Sequence, residues 1–284
     1  MPRILTYNVH RCVGTDRRLD VARVADVIAA LEPDIVALQE LDVGRMRTNG
    51  VDQAHEIARR LEMAFHFHPA MKVEEELYGD AILTRHPERK IRSAALPGHD
   101  RVSQLEPRGA LWVSVELDGR QLQVFNTHLG LVPREQQNQA AALAGPGWLG
   151  HPDRQGPTIL LGDFNVTSAS QVYRTLSDQL RPARRHTAKK SPSATFPSVF
   201  PVLRIDHVFV SEVADVEGGD HIAERGHFPR PQRAQPPVMV EGGDRGAQAA
   251  SLLPGLGHGI AGAAHIVAHK TVAQGADGPP VIVV

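Results

Sequence analysis

Apolar and polar residues along this chain switch repeatedly between a period of two and a period near 3.6, and the switches mark the elements. Arg3 to Val9 reads as a first strand. After a turn at Gly14, Val21, Val24, Ala25, Ile28 and Leu31 recur at helical spacing with Arg23, Asp26 and Glu32 between them, an amphipathic helix suited to packing on a sheet. Pro33 ends that helix, and Asp34 to Gln39 reads as the next buried strand. A polar loop from Gly44 to Asn49 leads to a second helix, marked by Ala54, Ile57, Ala58 and Leu61. Phe65 to Ala70 is a strand in which His66 and His68 alternate with Phe65 and Phe67, a half-exposed pattern rather than a metal site. Tyr78-Gly79-Asp80 opens another strand, Ala81 to Thr84.

A second run repeats this alternation. Ala110 to Leu117 and Leu122 to Thr127 flank Asp118-Gly119, a two-residue hairpin signal that is read as leaving Arg108 and His128 at opposite ends of the pair. A helix over Arg134 to Leu143 and a Pro/Gly-rich loop over Gly145 to Gly156 precede the apolar run Thr158 to Leu161. Ser168 or Ser170 caps a helix carrying Val172, Leu176 and Leu180, and Arg204 to Ser211 is the last strand with a clear pattern. Strands alternating with helices in two successive runs predict an α/β fold of two packed mixed sheets flanked by helices.

Polar residues stand at the ends of the apolar runs. The run ending Leu161-Gly162-Asp163-Phe164-Asn165 delivers a carboxylate and an amide two residues apart, which an extended backbone would place on one side of the chain. Taken alone, the same pair is an Asx turn closing a strand. Four other runs end likewise, at Asn8, Glu40, His128 and Asp206. A carboxylate after a run as apolar as Ile35 to Gln39 is costly to bury unpaired, so Glu40 either faces water at the rim or binds a cation.

In order, TYNVH at 6–10, DIVALQE at 34–40, YGDAILTRHP at 78–87, NTHLG at 126–130, GDFN at 162–165 and RIDHVFVS at 204–211 resemble the motifs of the endonuclease/exonuclease/phosphatase family. The resemblance covers about the first three quarters of the chain. It implies a DNase I-like, four-layered α/β sandwich and divalent-metal-dependent hydrolysis of phosphoesters. Residue by residue, it implies Asn8 and Glu40 as ligands of Mg²⁺ or Mn²⁺, His128 as the histidine of the THL motif, and Asp163, Asn165 and Asp206 as catalytic. A hard cation suits these oxygen ligands better than zinc would. Arg108, Tyr78 and Asp80 are the candidates for substrate contacts. Asp80 departs from the family pattern, which carries Asn there, so the acid serves a second cation or orients a neighbour.

Composition narrows the substrate little. Lys and Arg number 31 against 32 Asp and Glu, a formal charge of -1, so the chain lacks the cationic excess of a nonspecific nucleic-acid binder. Arg181, Arg184, Arg185, Lys189 and Lys190 form a local basic cluster, with Pro, Ala, His and Thr between them rather than stacking aromatics. Nucleic acid, a phospholipid head-group or a small phosphoester all remain as substrates. Cys12 is the single cysteine, an ordinary small residue rather than a catalytic thiol. With 42% hydrophobic residues and no apolar run near the roughly 18 residues of a membrane span, the chain reads as a cytoplasmic monomer.

The pattern fades beyond Val213. Twelve of the 25 glycines and a single aromatic, Phe228, fall there, which separates a catalytic domain at 1–213 from an atypical Gly/Ala/Pro-rich tail at 214–284. The family's Ser-Asp-His and final strand are missing; Asp220-His221 is the nearest pair, flanked by Gly218-Gly219. The tail reads as a replaced or out-of-frame C-terminus that leaves a sheet edge for the apolar end, Pro279 to Val284, to fill. The alternative function is therefore a catalytically impaired member acting as a binding scaffold.

Overall fold

The computed structural model describes residues 2–99, 102, 104–183, 194–197 and 202–211, and the backbone of three strands at 217–220, 269–273 and 281–283. The first run of the chain forms β1 (Arg3–Asn8), α1 (Val21–Ala29), β2 (Ile35–Val43), α2 (Gln53–Leu61), β3 (Ala64–Val73) and β4 (Glu76–Thr84). The second forms β5 (Glu88–Ala95), β6 (Gly109–Leu117), β7 (Arg120–His128), α3 (Pro133–Ala144), β8 (Thr158–Asp163), α4 (Gln171–Ser177), β9 (Arg181–Pro182) and β10 (Asp206–Val210). Then come β11 (Glu217–Asp220), β12 (His269–Ala273) and β13 (Val281–Val283).

Local chemistry sets the helix starts. Asp20, Asp52 and Ser170 each accept the backbone N–H three residues on, at Arg23, His55 and Tyr173. Ser170, not Ser168, is thus the cap of α4.

One sheet has the order β11-β12-β13-β1-β2-β4-β3 and the other β5-β6-β7-β8-β10-β9. Both are mixed, since β1 runs parallel to β2 and β7 parallel to β8 while the hairpins are antiparallel. Ile4, Ile35 and Ile82 of one sheet pack against Val113, Val124, Leu161 and Val208 of the other. The helices α1 and α2 cover the outer face of the first sheet, and α3 and α4 that of the second. The result is the four-layered α/β sandwich expected from sequence. Among the described residues no helix is long and apolar enough to cross a membrane.

Three features differ from the sequence reading. Strand β5, polar on most of its length, carries no clean alternation and was not expected. Arg181 belongs to the short strand β9, while Arg184, Arg185, Lys189 and Lys190 of the basic cluster lie outside the described residues. Arg108 and His128 are neighbours rather than at opposite ends. In an antiparallel hairpin the start of the first strand meets the end of the second, and Ala110 indeed pairs with Thr127.

At the C-terminus, the apolar end does fill the edge: β13 runs parallel beside β1, with Arg3 opposite Ile282 and Ile4 opposite Val283. Asp220 lies in β11, paired with β12, and His221 is outside the described residues.

Candidate active site

The C-terminal ends of β1, β2, β7 and β8 and the N-terminal ends of β4, β6 and β10 all reach one end of the sandwich, where both sheets open into a cleft of about 640 Å³. Asn8 stands at its centre. Its Nδ2 donates to Glu40 Oε1 at 2.9 Å and to Asp163 Oδ2 at 3.0 Å, so one amide joins the carboxylates of the two sheets. These residues are 155 positions apart in sequence at the extreme.

Glu40 sits at a bulge, where the β2–β4 register slips between Leu38 and Leu41 and its own φ is +61°. The slip frees the Glu40 N–H from the ladder, and the Asp80 carboxylate accepts it. Burial alone would raise the Glu40 pKa. The hydrogen bonds from His10 and from the Asn8 amide outweigh that and hold it at about 2. His10 Nδ1 lies 3.0 Å from Glu40 Oε2. Asp80 itself is pushed up to about 7, by burial above all, against the pull of Arg108.

Asp163 and Asn165 do not share an extended segment. Asn165 has φ +52° and its N–H donates to Asp163 Oδ1 at 2.9 Å, so the pair forms an Asx turn that still leaves both side chains in the cleft. Gly162 before them has φ +144°, and a methyl there would run into the Thr127 carbonyl. The bare glycine lets β8 close on β7 and bring Asp163 level with His128.

His128 is almost fully buried, and burial lowers its pKa first, partly opposed by Asp163. Its Nδ1 lies 3.0 Å from Arg108 Nη1. A guanidinium only donates, and so does the Asn165 Nδ2 that lies 3.0 Å from Nε2, so both ring nitrogens face donors, with Asp163 Oδ2 3.9 Å from Nε2. Arg108 is also paired with Glu106 at 2.6 Å.

Asp206 is the direct cross-strand partner of Asp163. Burial, then the Asp163 charge, hold it well above the usual carboxylate range, while the Thr195 hydroxyl meets its carboxyl. Two expected substrate contacts stand back from the opening. Tyr78 is buried under Arg47, whose guanidinium carbon is 5.4 Å from the ring centroid, and neither Tyr78 nor Asp80 lines the cleft. Cys12 does line it, but burial, then Asp42 and Asp20, push its thiol up to about 12, consistent with an inert packing residue.

Sequence reasoning missed the residues that brace this centre. Asn126, fully buried in β7, donates across the sandwich to Leu38 O and Ala81 O, both at 2.9 Å, and accepts from Gln39 Nε2 at 2.7 Å. It thereby ties the second sheet to the first directly beside the Glu40 bulge. Gln53, at the start of α2, accepts the Asp42 N–H at 2.9 Å and donates to Arg11 O at 2.7 Å. That second bond holds a turn in which His10, Arg11 and Cys12 all have positive φ, a conformation that costs roughly 1–2 kcal/mol per residue. A polar side chain inside an apolar run was the available signal for Gln39 and Asn126. Gln53 offers none.

Glu40 with Asn8 fits a hard divalent cation that keeps much of its water shell, since such an ion needs only one or two protein carboxylates and oxygen donors. Among the described residues, no group of three or more His, Cys, Asp or Glu is gathered as a metal cluster.

Residues 5–225 match the model of the Endonuclease/Exonuclease/phosphatase family. The chain belongs to the endonuclease/exonuclease/phosphatase family. The uncharacterised protein YbhP of Escherichia coli is 27% identical over 227 residues, covering 75% of this chain and 85% of YbhP. An endonuclease/exonuclease/phosphatase from Beutenbergia cavernae superposes with a TM-score of 0.61 at 24% identity, over 78% of this family member and 67% of that chain. The mannosyl-6-phosphatase of Bacteroides thetaiotaomicron gives 0.58 at 19% identity, over 78% and 92%. The human Nocturnin catalytic domain gives 0.56 at 19%, over 77% and 86%. These similarities support the shared fold, and the family match ends inside the region that the sequence set apart as a tail.

Proposed function

We propose that this protein is a divalent-metal-dependent phosphoester hydrolase in which water attacks phosphorus. The observation that carries the reading is the meeting of Glu40 and Asp163, from different sheets, on the single amide of Asn8. Glu40 and Asn8 would hold a magnesium or manganese ion, which would supply positive charge to a phosphoryl oxygen. Asp163 takes the proton of the attacking water as its oxygen bonds to phosphorus and the ester P–O bond breaks. His128 donates a hydrogen bond from Nε2 to a nonbridging oxygen as charge builds there, and Asn165 adds a second donor. Asp206 faces Asp163 across the strands, where burial and the Asp163 charge raise its pKa.

The test is hydrolysis of an aryl phosphodiester. Activity is expected with Mg²⁺, lost in chelator, and about 10²–10⁴-fold lower in Asp163→Ala. Wild-type turnover in that variant, or none in the parent with metal present, removes the assignment. A binding scaffold is the second reading, favoured by the absence of Ser-Asp-His after Asp206 in the sequence. Calorimetric titration with Mg²⁺ separates the two, because a site kept only as a scaffold does not need to bind the ion.

A further inference from the structure

Helix α3 packs on the second sheet differently from the other helices. Where α1 buries Val24, Ala25, Val27 and Ile28 and α4 buries Val172 and Leu176, the first two turns of α3 bury Glu135, Gln136 and Gln139, and apolar contact begins only at Ala140 and Leu143. Gln136 and Gln139 are three residues apart and so lie on one face. They are 5% and 0% exposed. Burying a side-chain amide carries a desolvation cost that an aliphatic side chain does not, unless the amide is hydrogen-bonded.

Gly130, two residues after His128, meets both amides. Its N–H donates to Gln139 Oε1 at 2.9 Å, and its carbonyl accepts from Gln136 Nε2 at 2.8 Å. The same Nε2 also donates to the Asn165 carbonyl at 3.1 Å. Only a donor can sit between two carbonyls, which fixes the orientation of the Gln136 amide. Gln136 therefore ties the connection that follows His128 at the end of β7 to the Asx turn after β8, which carries Asn165. The Asn165 side chain closes the circuit from the other side: its Nδ2 donates to Leu129 O at 2.9 Å and lies 3.0 Å from His128 Nε2. Asn165 has φ +52°, a left-handed conformation that persists where the surroundings fix it. An apolar residue at 136 would cover the sheet and leave the Gly130 and Asn165 carbonyls without this donor.

We propose that Gln136 is the positioning residue of Asn165, fixing the turn after β8 on the connection after β7 so that the Asn165 amide stays beside His128 Nε2. Its kinetic consequence rests on the phosphoesterase reading, but the placement of Asn165 is measured without turnover. Gln136→Met keeps the length of the side chain and removes both donors. On the aryl phosphodiester the variant is expected to lose about 10²-fold in kcat at unchanged KM and unchanged calorimetric Mg²⁺ affinity, since Asn8 and Glu40 lie outside the brace. In an Asn165→Ala background the same substitution should change kcat by less than about two-fold. An equal loss in both backgrounds, or a wild-type kcat in Gln136→Met itself, overturns the proposal. In heteronuclear NMR spectra the Asn165 side-chain amide should shift and exchange faster with solvent in Gln136→Met. An unmoved signal overturns the proposal, whereas a parent that hydrolyses nothing removes the phosphoesterase reading and leaves this readout to decide the brace. Should Gln136→Met melt early, the parent decides: its Gln136 side-chain amide protons are expected to exchange far more slowly than those of an exposed glutamine, and equal rates overturn the brace.

Discussion

His68 illustrates how one side chain can carry a pH dependence that has nothing to do with the reaction. It is buried between β3 and β6, its Nδ1 is 2.7 Å from Ser93 Oγ, and its Nε2, beside Gly109, has no hydrogen-bond partner among the described residues. Burial first, then Lys90, lowers its pKa to about 4. In the unfolded chain the same ring titrates near 6.5, so between pH 6.5 and 4 the unfolded state binds more protons. Stability contributed by the neutral ring is therefore complete above about 6.5 and lost as pH falls toward 4, by up to about 3 kcal/mol. Urea unfolding of the parent and His68→Gln at pH 7 and 4.5 checks this, since the variant should lose that part of the difference. The sequence reading placed His68 on a half-exposed strand. Its burial comes from the facing sheet, which no local pattern reports.

At the scale of the element, the decisive feature is a bulge in β2 held from the other sheet. Asn126→Leu removes the donors to the Leu38 and Ala81 carbonyls and the closest acceptor of the Gln39 amide, which keeps Thr6 Oγ1 and Ala37 O at 3.2 Å. The expected cost is about 2–4 kcal/mol by chemical denaturation, with part of it recovered in Asn126→Leu/Gln39→Leu, which removes the donor that lost its closest acceptor. A sum of the two single effects in the double variant would show that the bridge is not coupled. Most elements were legible beforehand because their apolar spacing declares them: β1, α1, β2, α2 and the β6–β7 hairpin all lie where the pattern puts them. The bulge was not legible. Its cause is a non-local amide, and a register slip leaves no trace in hydrophobic period.

At the scale of the whole molecule, β13 closes the edge that the missing family strand would otherwise expose. Its parallel pairing with β1 covers backbone groups of the strand that carries Asn8. A chain ending at Gly278 should lose several degrees in melting temperature and self-associate at rising concentration, read by size-exclusion chromatography. An unchanged elution volume and melting temperature would remove β13 from the account of the fold. The atypical composition beyond Val213 was visible in the sequence, whereas the return of its last residues to β1 is a long-range pairing that composition does not encode.

The sequence by itself determined the alternation of strands and helices, the two-sheet class, the family, and the polar residues that terminate the apolar runs. Those follow from local periodicity and from residue types in order, which the chain carries in one dimension. Only the tertiary structure decided that Arg108 meets His128, that Asp80 supports the Glu40 bulge, and that Asp163 and Asp206 face each other. Each of these depends on register and on the packing of one sheet against another, where residues more than a hundred positions apart come within hydrogen-bonding distance.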